Sequence, residues 1–113
     1  MSRVTRGVVE CEIDGELYTL RPTLDAYRRI QQRFGGLRGA LEALTALNTD
    51  HLAHIVAAGA GIHRKQVEEV ERRIFNQGVP EVIEMISPFV TALLNPRGDD
   101  DQDEDEGKPE PVA

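Results

Sequence analysis

A chain of 113 residues, 40% hydrophobic but only 4% aromatic, predicts one small domain with a core of Leu, Ile, Val and Ala, a composition that suits helices. The net charge of −7 is uneven: residues 97–113 hold two basic and eight acidic residues, a net of −6, while 1–96 hold eleven and twelve, a net of −1. An acidic tail repels a phosphate backbone and argues against nucleic acid. The single cysteine, Cys11, excludes an intrachain disulfide and suits a reducing cytoplasm. No leader pattern opens the sequence and no apolar run approaches the ~18 residues of a membrane span, so a soluble cytoplasmic protein is expected.

Residues 1–6 are polar and unpatterned, a frayed end by expectation. In 7–20, Asp14-Gly15 separates two short alternating runs, and Asp-Gly favours the type I′ turn of a β-hairpin. That turn sets Ile13 opposite Glu16, Cys11 opposite Tyr18 and Val9 opposite Leu20. One face then carries Val9, Cys11, Ile13, Tyr18 and Leu20, with Glu10, Glu12 and Thr19 on the other. A lone hairpin is marginal in water, so helices must cover its apolar face.

Residues 21–36 are the run around which the chain is organised. Pro22 stops strand pairing, Thr23 caps a helix with Asp25 in its first turn, and Gly35-Gly36 provides the exit. Leu24, Tyr27, Ile30 and Phe34 recur at helical spacing and form the expected core stripe. A second helix is predicted over 37–47 with Leu37, Leu41, Leu44 and Leu47 in one stripe. Thr49 or Asp50 caps a third, carrying Leu52, Ile55 and Val56 into the small-residue run 57–61, where either the helix frays or another backbone packs close. A fourth begins near Arg64 with Val67, Val70, Ile74 and Phe75. The fifth opens at Val79-Pro80 and carries Val82, Ile83, Ile86, Phe89, Val90, Leu93 and Leu94, with Pro88 predicted to kink it or split it at Ser87. The expected fold is α+β, mostly α: one domain over 1–96 with a hairpin at 7–20, about five short helices over 23–95, and a disordered acidic tail at 97–113.

Little here carries chemistry. His51, His54 and His63 lack the tight Cys/His spacing of a zinc site, so no metal or cofactor is expected. Cys11 falls on the apolar hairpin face as a small hydrophobe. Gly35-Gly36 and Gly59-Ala60-Gly61 lack the residues of a phosphate loop. No acid–base or nucleophile pair converges, so no enzyme is expected. Two features point to binding. Arg28, Arg29, Arg33 and Arg38 cluster around the first helix and its exit, either a solvated face or a docking face for an acidic partner, such as the chain's own tail. The fifth helix is more apolar than one stripe requires, so any part left exposed, with Phe89 and Leu93 as the candidates, is a partner patch or a self-association interface. The tail itself is either a solubilising extension or an arm for a basic partner.

The order of parts carries a resemblance. A hairpin runs into Tyr18-Thr19-Leu20-Arg21-Pro22-Thr23, and a helix ends in Arg33-Phe34-Gly35-Gly36. A leucine-spaced helix follows, then one ending in Ala57-Ala58-Gly59-Ala60-Gly61, then Gln66-Val67-Glu68-Glu69-Val70, a break at Gly78 and a last apolar helix. Over roughly 8–94 this resembles the small tail assembly chaperones of long-tailed phages, the branch found in gene transfer agents and related prophages. The resemblance implies a non-enzymatic protein of the bacterial host cytoplasm that binds the tape-measure protein, keeps its apolar helices from aggregating and helps recruit tail-tube subunits. The alternatives are a structural tail component retained in the particle and a small regulatory adaptor with an inhibitory acidic tail.

Overall fold

The structure, a computed structural model, describes residues 7–95. The frayed 1–6 and the disordered tail expected from sequence lie outside the described residues.

Strands β1 (Val9–Ile13) and β2 (Glu16–Leu20) pair antiparallel in the expected register, with Val9 opposite Leu20, Cys11 opposite Tyr18 and Ile13 opposite Glu16. Asp14 and Gly15 take φ of 52° and 82°, the positive values a type I′ turn demands. Cys11, Ile13, Tyr18 and Leu20 are buried on the inner face, while Glu10 and Glu12 are exposed.

Five helices follow: α1 (Leu24–Phe34), α2 (Leu37–Ala46), α3 (Thr49–Ala60), α4 (Val67–Gln77), which a 3₁₀ turn at Arg64–Gln66 leads into, and α5 (Val79–Leu94). Thr23 caps α1 as expected, its hydroxyl accepting from the Ala26 N–H at 3.1 Å. The cap of α3 is Asn48 rather than Thr49 or Asp50: its Oδ1 accepts from the His51 N–H at 3.1 Å. Thr49, now inside the helix, donates its hydroxyl to Glu71 Oε2 on α4 at 2.7 Å. Nor does α5 split at Ser87. It runs unbroken through Pro88, whose ring lies on an exposed position, and the Ser87 hydroxyl donates back to the Ile83 carbonyl at 2.7 Å.

The hub is α3, not the run containing α1. It packs against α1, α2, α4, α5 and β2, and Leu52, Ala53, Ile55, Val56, Ala57, Ala58 and Gly59 are all buried along it. From Ile55 to Gly59 the helix is buried on every side, the mark of a segment surrounded by its own protein, and its Ala and Gly positions let neighbours approach closely. The small-residue run therefore marks close packing, and the helix continues through it to Ala60. At Gly59 an added Cβ would lie 2.7 Å from Phe89 Cζ and 3.0 Å from Leu20 Cβ. The Gly59 carbonyl also accepts from the Arg21 N–H at 3.0 Å, tying the end of the hairpin to α3.

The other end of the hairpin is held by α4. Gln77 Oε1 accepts from the Asp14 N–H at 2.8 Å, and Arg73 Nη1 donates to the Asp14 carbonyl at 2.8 Å. With β1 also lying on α5, the apolar face of the ribbon is covered. Among the described residues no polar or charged side chain is buried.

Candidate functional site

The most distinctive surface lies where α1 crosses the C-terminal end of α3. Arg29 points inward there, and its Nη1 donates to the Ala57 and Ile62 carbonyls at 3.2 and 2.8 Å. Ala57 is in the last turn of α3 and Ile62 lies just past its exit, where Gly61 turns left-handed at φ 71° and the Ile62 N–H returns to Ala57 at 2.9 Å. The Ala57 carbonyl already accepts from the backbone of the helix exit, so the guanidinium adds a further donor there, reaches the Ile62 carbonyl beyond it, and complements the negative end of the helix dipole. Burial, and then the neighbouring Arg64 charge, pull the Arg29 pKa below the ordinary guanidinium value. An arginine so placed stays charged at neutral pH.

Two adjoining recesses meet at Arg29 and Gln32. One, of about 330 Å³, is also lined by Arg33, His54 and Arg64. The other, of about 540 Å³, extends along Arg21, Thr23, Asp25 and Arg28 to the backbone of 58–61. Five arginines thus edge one continuous groove. Two of them are engaged within the body: Arg29 on the α3 carbonyls, and Arg33 in an ion pair with Asp50. Arg21, Arg28 and Arg64 make no ion pair among the described residues. Asp25 is the acidic residue of the lining.

His54 sits at the base, its Nε2 3.5 Å from Asp50 Oδ1. Burial chiefly, and then Arg33, hold its pKa below the ordinary imidazole value against the opposing pull of Asp50. The other histidines are placed differently. The His51 ring packs at a tilt on Phe34, with centroids 5.2 Å apart, and His63 Nδ1 accepts from the Lys65 N–H at 3.1 Å to cap the 3₁₀ turn. Among the described residues no three His, Cys, Asp or Glu side chains gather as a metal site would require. Cys11 is buried, and burial raises its thiol pKa.

The chain matches no family model, no curated protein and no solved structure.

Of the residues singled out from sequence, Arg28, Arg29 and Arg33 come together in the groove, whereas Arg38 is exposed on α2 and lines neither recess. Phe89 offers no docking surface. It is 0% exposed because its ring fills the space left at Gly59. Leu93 is 2% exposed and reaches the surface only as part of a small recess with Pro22, Thr23, Leu24 and Tyr27. The apolar residue that is open to solvent there is Leu24, 63% exposed.

Sequence reasoning missed Arg21, His54 and Arg64 as parts of the groove. Arg64 reaches it because Gly61 reverses the chain after α3, a tertiary placement without local signature. The Arg21 position is set by its backbone bond to Gly59. The nearest visible signal was the left-handed exit that Gly61 predicts.

Proposed function

We propose that this chain is a non-enzymatic tail assembly chaperone of the bacterial cytoplasm that binds a tape-measure protein and helps recruit tail-tube subunits to it. Family assignment within this proposal comes from the pattern resemblance over 8–94. The observation that carries the binding role is the surface around the start of α1, where exposed Leu24 and half-buried Tyr27 adjoin the arginine groove through Thr23, which lines both recesses. An apolar step beside a row of cations suits an amphipathic helix that presents apolar and acidic residues. Contacts that are only partly apolar and rest in part on exposed charges suit a complex that releases as the tube polymerises.

The test is co-expression with the tape-measure protein of its own gene neighbourhood, followed by inspection of finished particles. A soluble complex of the two, lost on Leu24→Glu, and absence of the chain from particles are the expected results. A tape-measure protein equally soluble and unbound with or without this chain would sink the proposal. Stoichiometric presence in particles would instead make it a structural tail component.

A further inference from the structure

The arginine groove is unbalanced in charge within the described body. Arg21, Arg28 and Arg64 have no carboxylate partner there, Arg33 has Asp50, and Arg29 is committed to carbonyls. Arg64 also acts on Arg29 as an uncompensated like charge. Cations gathered in a concave surface focus a positive potential and attract an anionic segment.

The path of the chain supplies one. Near the C-terminal end of α5, Leu93 lines a recess with Pro22, Thr23, Leu24 and Tyr27, and an added Cβ at Gly7 would lie 3.0 Å from both Ala92 Cβ and Pro22 Cγ. Thr23 in turn lines the arginine groove beside Arg21 and Arg28. The last described residue, Asn95, thus follows a helix that ends at the edge of the groove. The sequence from 99 to 106 then reads Asp-Asp-Asp-Gln-Asp-Glu-Asp-Glu, seven carboxylates in eight residues. Three residues lie between Asn95 and Asp99, so the four steps reach at most ~14 Å when extended, and the acidic run itself spans up to ~28 Å. It starts within reach of the groove and is long enough to follow it.

We propose that the acidic run 99–106 docks in cis onto the groove edged by Arg21, Arg28, Arg29, Arg33 and Arg64, so that any acidic partner must displace the chain's own tail to bind there. The docking is independent of which client the protein serves. Because the tail is tethered beside its site, its effective concentration favours the intramolecular contact over a second copy. The contact consists of exposed charge pairs and is therefore strongly salt-dependent.

The test uses the full ¹⁵N-labelled chain with a nitroxide on Gly107→Cys, the buried Cys11 thiol being poorly reactive. The sample is diluted in excess unlabelled, label-free protein. Amide signals of residue 21 and of residues 23–33 and 61–64 should be lost to paramagnetic broadening at about 0.01 M salt and recover at about 1 M, where the Debye length falls from ~30 to ~3 Å. They should also recover in the Arg21→Glu/Arg28→Glu/Arg64→Glu variant, and in one whose acids at 99–106 are replaced by Asn and Gln. The second variant decides the matter if the first does not fold. Broadening absent from this face, or persisting in high salt or in the neutralised tail, overturns the proposal. So does broadening found only when the nitroxide is carried by the unlabelled copies, which would place the tail on a neighbouring molecule.

Discussion

The ring of Phe89 occupies the place where a side chain would stand on Gly59, with Cζ only 2.7 Å from the position of a Cβ there. This contact joins α5 to the hub helix next to Leu20 of the hairpin, whose Cβ would lie 3.0 Å from the same added atom. Replacing a helical glycine by alanine normally favours the helix by about 1 kcal/mol. Here the methyl would have to displace a fully buried ring, and overpacking costs about 1–3 kcal/mol. Gly59→Ala is therefore expected to lower stability in spite of its better helix propensity, whereas Phe89→Ala should lose about 3–5 kcal/mol by leaving a cavity. Combining Gly59→Ala with Phe89→Leu should recover part of the loss, because the two changes compete for one space. Urea denaturation of the four chains measures this. A Gly59→Ala protein more stable than its parent would show that the ring yields at little cost.

Two adjacent arginines on α1 should behave differently. Arg29 makes two hydrogen bonds to carbonyls at the end of α3, while Arg28 is exposed in the outer groove. Hydrogen bonds from a charged donor contribute about 1.5–3 kcal/mol, and exposed positions without such bonds usually change stability by less than about 0.5 kcal/mol. Arg29→Met should thus be clearly destabilised and Arg28→Met close to neutral. Melting temperatures of both, taken at low and high salt, check the distinction. Equal effects would mean that the backbone partners Ala57 already has suffice and that the Ile62 carbonyl finds another donor when Arg29 is gone.

Those residues also show what was legible in the sequence. The hairpin register was, because Asp14-Gly15 pins the turn and a one-residue slip would put Glu10 and Glu12 in the core. The helix count and most breaks were legible through Thr23, Gly35, Gly61 and Gly78. The buried face of α1 was read only in part. Ile30 is core, but Leu24, six residues earlier, points about 120° away from it at 3.6 residues per turn, and Ala26 takes the inward position. Phe75 is likewise turned by about 100° from Ile74 and stands 72% exposed. Apolar spacing shows that a face exists, yet an alanine at its centre and a leucine at its margin look alike until the neighbouring helix is placed. The groove was half legible for a related reason. Charges close in sequence can be grouped by eye, but Arg64 and His54 join Arg29 and Arg33 only through the packing of α1 on α3.

His54 gives the fold a pH dependence with a definite sign. Its imidazole faces Arg33 and Arg29 across the groove and Asp50 and His51 on its own helix, and burial is the largest influence on it. The folded-state pKa lies below the ordinary 6.5, so beneath that pH the unfolded chain binds the proton more readily. Stability from this residue is fully present above the unfolded pKa. It falls as pH drops from there toward the folded pKa, below which the loss is complete. Thermal unfolding followed from about pH 7 to pH 5 should therefore steepen less in His54→Gln than in the parent. A direct check is NMR titration of the His54 ring, which should show a midpoint below 6.5 in the parent. In Asp50→Asn the midpoint should fall further, since the carboxylate is the one neighbour that favours protonation. A midpoint at or above the ordinary value would mean that the Asp50 contact outweighs burial and the surrounding arginines, and that His54 rests protonated in a groove already rich in cations.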